Sequence, residues 1–312
     1  GDSFCIVCFC LFLFYCLPTL DDLHAMTTAQ RSPADDRESD LTLEWPGHAP
    51  LAARLYGRRV AAGGPLVLHF HGGNFTGGGL ENGALVAREL ARSNAVVLSL
   101  AYPVGDAHPF PDAVDAGYVA LEWAWRHRVK LAGKAARLYL AGEEAGGNVA
   151  AGVALMARDR SHPPLAGQIL LSPMLDPCSG TSSLRQVVRD ATTCRWAEGW
   201  STYLRSPGDT THPYAVPGAS LRLAGLPPTL VLVSRGDPMH DEGLAYACRL
   251  AQAGICVQSA ELCPAECWPA ALYEPASPEQ AGCEVMQLHF RNFLGTADTP
   301  HEAPTDKTPV RS

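Results

Sequence analysis

The chain is expected to fold as an α/β protein: a mostly parallel sheet flanked on both faces by helices. Three observations predict this. Short apolar runs alternate with longer amphipathic stretches, the rhythm of strand and crossover helix. A length of 312 residues suits one large α/β domain with a cap, or two small domains. Around Gly142 to Gly147 a strand-like run passes straight into a helix-like one through small residues, as a sharp strand-to-helix corner demands. The elements follow in order. The 41–56 region reads as an antiparallel hairpin at the sheet edge. Strands are predicted over 66–71, 95–100, 137–141, 168–172, 229–234 and 256–262, and helices over 83–93, 113–128, 146–158, 241–253 and 285–293. Gly254 is placed to close the fourth of these helices. The 176–217 segment interrupts the rhythm. Trp196, Trp200 and Tyr203 fall on one helical face there, either packing it on the core or lining a pocket.

The corner carries the strongest chemical signal. Gly142-Glu143-Glu144-Ala145-Gly146 has the glycine spacing of a nucleophile elbow, G-x-S-x-G, with Glu144 where the serine belongs. On the first turn of a helix, the macrodipole and free N–H groups favour an ionised carboxylate. Upstream, a strand-like run ends in His71-Gly72-Gly73-Asn74, and downstream lies Gly236-Asp237-Pro238-Met239-His240-Asp241-Glu242-Gly243.

Taken together and in this order, the three motifs resemble the hormone-sensitive-lipase-like branch of the α/β-hydrolases, the esterase/lipase family IV. The resemblance runs from residue 51 to 294. Tyr102-Pro103, Phe110-Pro111-Asp112, Leu171-Ser172-Pro173 and Pro227-Pro228 look like the same family. It implies that the backbone N–H groups of Gly72, Gly73 and Ala145 form an oxyanion hole, that His71 holds the loop, and that Asp237 is the triad acid. Asn74 stands where a third glycine is common. By spacing, Trp268 stands where the triad histidine is expected; the later histidines, His289 and His301, do not match the motif. Nucleophile and proton shuttle are thus both replaced, which makes the chain a candidate pseudoenzyme: ordinary serine esterase turnover is expected to be weak or absent. Three readings stay open at Glu144. The fold has lost ester hydrolysis and Glu144 binds or orders something. Glu144 is a base or nucleophile in altered hydrolase chemistry. Or a nucleophile lies elsewhere. If Glu144, Asp237 and Trp268 converge, two carboxylates and an indole face suit a cationic ligand. His69 reads as a satisfied core or edge histidine, His240 as exposed, Asp112 as a helix cap, and His108 as a spare proton carrier.

Composition bounds the partners. The net charge is −8, with no basic run, which argues against nucleic acid. The partner class is a small-molecule substrate or ligand, with a non-catalytic sensor or binding protein as the alternative to an enzyme. No cofactor and no metal is called for; Cys263 and Cys267 alone make a poor metal site. Without a paired CxxC grid, the 11 cysteines fit a cytoplasmic protein with reduced thiols. Residues 1–25 are an apolar leader outside the fold, expected to be read-through ahead of Met26; a genuine leader would bring a membrane into play. The hydrolase domain is expected over 26–295, where the resemblance implies a helical cap around 176–217, and a disordered tail over 296–312. The resemblance implies a homodimer through the last strand and helix.

Overall fold

The computed structural model describes residues 38–178, 180–188, 194–262 and 283–296. The predicted leader, the tail past Thr296, Cys263, Cys267 and Trp268 lie outside the described residues. The sheet has eight strands: β1 (Glu38–Leu43), β2 (Leu51–Tyr56), β3 (Pro65–Phe70), β4 (Val96–Leu100), β5 (Arg137–Glu143), β6 (Gly167–Leu171), β7 (Thr229–Ser234) and β8 (Val257–Leu262). Their order is β1-β2-β4-β3-β5-β6-β7-β8. The first two strands form the predicted hairpin, and β2 joins β4 antiparallel; every pairing from β4 to β8 is parallel.

Side-chain alternation along the strands builds two cores. Leu66, Leu68 and Phe70 of β3, with Leu138 and Leu140 of β5, face α2 (Asp112–Ala132) and α3 (Ala145–Asp159), where Tyr118, Leu121, Val149 and Val153 meet them. Val67, Tyr139, Ala141 and Ile169 face the other way, onto α1 (Ala84–Arg92) and α7 (Glu284–Thr296) through Val86, Leu90, Met286 and Phe290. Central parallel strands covered on both faces are apolar almost throughout, which is why they read as continuous runs rather than alternating ones. No helix among the described residues is long and apolar enough to cross a membrane.

The ends of two predicted elements move for a visible reason. The second helix continues past residue 128 because Ala132 is buried, and it stops at Gly133, which takes φ 105°. Strand β5 runs on to Glu143, because that residue still pairs with Leu171 of β6. Between β6 and β7 lie α4 (Ser182–Val188) and α5 (Arg195–Tyr203). On α5, Trp196, Trp200 and Tyr203 are all buried. Phe75, just after the His71-Gly72-Gly73 loop, stacks on Tyr203 at 4.1 Å between ring centroids, and Trp200 lies beside it. Aromatic packing of this kind contributes about 0.5–1.5 kcal/mol per pair beyond the area buried. It fixes α5 directly over the loop that follows β3. After β7 comes α6 (His240–Gln252), closed by Gly254 at φ 84° as predicted.

Candidate functional site

Glu144 sits at the corner between β5 and α3, with φ 51° and ψ −116°. A non-glycine residue there costs about 1–3 kcal/mol and persists only where its surroundings over-determine it. They do. Its N–H donates to the Leu171 carbonyl at 3.0 Å, and its own carbonyl accepts from Met174 at 3.0 Å. The flanking glycines are a packing requirement: a Cβ on Gly142 would strike the Gly146 carbonyl, and one on Gly146 would strike the carbonyls of Phe70 and His71. The turn is that tight because α3 starts directly against the end of β3.

The Glu144 side chain is fully buried, and its carboxylate is matched on both oxygens. Oε2 accepts the N–H of Gly73 at 2.7 Å and of Asn74 at 3.0 Å. Oε1 receives the Arg195 guanidinium of α5 at 3.2 Å. Burial pushes the Glu144 carboxyl above its ordinary range, and the charge of Glu143 adds to this; the two N–H groups and Arg195 pull it back only in part. The loop reaches the carboxylate because Gly73, Asn74 and Phe75 all take positive φ, which turns successive N–H groups inward. The Asn74 side-chain amide donates to the Arg195 carbonyl, and a Cβ on Gly199 would strike Asn74. Loop and α5 are therefore in direct contact.

The Gly72 N–H goes to Oε1 of Glu143 at 3.1 Å rather than to Glu144, and Asn74 supplies the second donor to Glu144 beside Gly73. Ala145 opens α3, next to the carboxylate-bearing residue. His71 is buried, stacked on Tyr102, and bonded through Nδ1 to the Gly72 carbonyl at 2.6 Å, so it braces the loop; burial lowers its pKa. Asp237 follows β7 and is fully buried; its Oδ1 accepts the Met239 N–H at 2.8 Å. Trp268 lies outside the described residues.

A Ser–His–acid trio does occur, one residue before the corner. His69 Nδ1 meets Ser99 Oγ at 2.9 Å, and His69 Nε2 meets Glu143 Oε2 at 2.7 Å. All three side chains have zero exposure, on the adjacent strands β4, β3 and β5. Gly83 closes over them: a Cβ there would lie 2.7 Å from the His69 ring. No acyl group can reach Ser99 in such a place. The trio is a buried hydrogen-bond relay that satisfies three polar groups inside the sheet and ends on the Gly72 N–H. His69 is thus the satisfied core histidine expected of it.

Other expectations shift. Asp112 does not cap α2; it is the first helical residue and pairs with His108 at 3.0 Å, so that histidine has a partner of its own. His240 is not freely exposed: its two ring nitrogens meet Asp241 at 2.9 Å and Glu261 at 2.8 Å. Glu144 is already matched by Arg195 and two amides, so one of the two carboxylates expected to attract a cationic ligand is engaged within the chain. No motif gave Glu143, Ser99 or Arg195 a role. Glu143 was findable, as a second acid at the end of a buried strand next to one bearing His69. Arg195 was not, because 51 residues separate it from Glu144. Among the described residues, no group of three or more His, Cys, Asp or Glu side chains is arranged to hold a metal ion.

A parallel sheet with a strained strand-to-helix corner and a glycine loop at the strand ends defines an α/β-hydrolase fold. The family model described as alpha/beta hydrolase fold matches residues 67–263. Carboxylesterase NlhH of Mycobacterium tuberculosis is 31% identical over 229 residues, covering 71% of this chain and 72% of that protein. Gibberellin receptor GID1A of Arabidopsis thaliana is 33% identical over 208 residues, covering 61% and 58%. Among solved structures, the hyperthermophilic esterase from Pyrobaculum calidifontis superposes with a TM-score of 0.72 at 31% identity, over 84% of this chain and 86% of that one. The chain belongs to the α/β-hydrolase family, in its hormone-sensitive-lipase-like branch.

Proposed function

We propose that this protein binds a small molecule beneath a helical cap and does not hydrolyse esters by the family's serine mechanism. Glu144 is read as standing at the nucleophile position, Gly73 and Asn74 as oxyanion-hole donors, and the α4–α5 segment as the cap. One observation carries the reading: the Glu144 carboxylate already occupies both donors, at 2.7 and 3.0 Å. A serine esterase aims such donors at the charge that develops on the substrate oxygen in the transition state. A tethered carboxylate in that place excludes the substrate oxygen and offers no hydroxyl for acyl transfer. With Trp268 read, by sequence spacing, at the position of the triad histidine, proton transfer also lacks its carrier. The rival, altered hydrolysis with Glu144 as base or nucleophile, needs a carboxylate oxygen turned toward substrate, whereas both are engaged within the chain. Similarity to a gibberellin receptor as well as to carboxylesterases is in keeping with a binding role on this scaffold.

A nitrophenyl acetate assay of wild type, Glu144→Ala and Glu144→Ser tests this. The expected result is background hydrolysis from all three, and no serine labelled by a fluorophosphonate probe, Ser99 included. Turnover by wild type that disappears in Glu144→Ala would establish the rival, and a labelled Ser99 would overturn the structural role of its trio.

A further inference from the structure

We propose that the donors around Glu144 form a carboxylate receptor whose ligand is built into the chain, and that removing that side chain opens the site to a small monocarboxylate such as acetate. The inference rests on the oxyanion-hole reading above. It starts from the distribution of donors. The N–H groups of Gly73 and Asn74 converge on Oε2, and the Arg195 guanidinium addresses Oε1. An ester carbonyl presents one polar oxygen to an oxyanion hole. A guanidinium on the second oxygen makes sense for a group with two equivalent, charged oxygens, and charge-assisted bonds of this kind are roughly twice as strong as neutral ones.

The two amide donors and the backbone that carries Arg195 are held by contacts that do not involve the Glu144 side chain. The Asn74 side chain donates to the Arg195 carbonyl, Gly199 lies flush on Asn74, and Phe75 stacks on Tyr203 with Trp200 beside it. The Gly72 N–H is fixed by Glu143. The Arg195 guanidinium itself is half-exposed, beside the Trp196 ring. Truncation to glycine should therefore leave the two amides in place, with Arg195 anchored beside them, around a void that runs from Cβ to the carboxylate. Acetate is one carbon shorter than that group, which leaves van der Waals room against the main chain. The site so exposed would take the acid half of a short acyl ester, the class of compound that a working relative of this fold releases.

The test is thermal unfolding of Glu144→Gly with increasing sodium acetate, set against acetamide, which has the same shape without the charge, and against sodium chloride for ionic strength. A ligand that binds only the folded state stabilises it by RT ln(1 + [L]/Kd), so the melting temperature keeps rising with the logarithm of concentration above Kd. The expected result is such a rise for Glu144→Gly with acetate, none with acetamide or chloride, and none for wild type, whose site is filled. In Glu144→Gly with Arg195→Gln, affinity for acetate should fall about tenfold or more. An equal response to acetamide, an unchanged affinity without Arg195, or no response would overturn the proposal. If Glu144→Gly does not fold alone, recovery on refolding in acetate but not in acetamide is the same positive result, and recovery in neither overturns it. The readout involves no turnover. Ester hydrolysis by wild type would sink the function proposed above without touching this result, and failure of acetate to bind would leave that function standing.

Discussion

Glu143 and Glu144 between them take the N–H groups of three successive residues, Gly72, Gly73 and Asn74. Two neighbouring buried carboxylates are costly, several kcal/mol each unless hydrogen-bonded. Each bond to a charged group offsets about 1.5–3 kcal/mol, so both are tolerated because the loop turns its amides inward, with His69 on Glu143 and Arg195 on Glu144 completing the set. At Glu144 the balance still lies against the charge, with burial the largest cause. The sign of its pH effect follows. A carboxyl held above its ordinary range contributes stability that is full below the ordinary Glu value and is lost as pH rises through the raised one. Glu144→Gln is neutral throughout. Relative to wild type, the Gln variant should therefore gain stability as pH rises from the ordinary Glu value, with the gain levelling off above the raised one. Urea unfolding across a pH series measures this; a difference that shrinks as pH rises contradicts it.

At the scale of elements, the site depends on where strands end. Strands β3 and β5 are neighbours in register, Phe70 opposite Gly142, so the loop after one and the corner after the other must meet. Helix α5 adds the third side through Arg195. None of this holds unless the helices on the far face keep the sheet covered. Phe290 of α7 is fully buried against that face, alongside Met286. Phe290→Ala should cost about 3–5 kcal/mol in chemical denaturation, through lost burial and the cavity left behind. A cost below about 1 kcal/mol, the size of a volume-conserving swap, would mean that α7 is not part of the core.

Across the whole molecule, the parallel sheet was legible because buried strands and amphipathic helices differ in both length and period. The corner was legible because its glycines answer a steric demand that no other residue type meets, and the order of the three motifs identified the branch. What escaped were relations between distant positions. That Glu143 would take the Gly72 amide, leaving Asn74 to join Gly73 at Glu144, depends on which way each carboxylate leaves β5. That a guanidinium from α5 would meet the second oxygen depends on how a segment far along the chain settles on the loop. Local patterns carry neither fact. If the Glu144 carboxylate fills the place prepared for an oxyanion, a crystal structure of the protein grown with acetate in the medium should show it there. Density for the Glu144 carboxylate is expected against the N–H groups of Gly73 and Asn74, near the present 2.7 and 3.0 Å, with no acetate beside it. A side chain turned away from those amides, with a water or acetate in its place, would refute this.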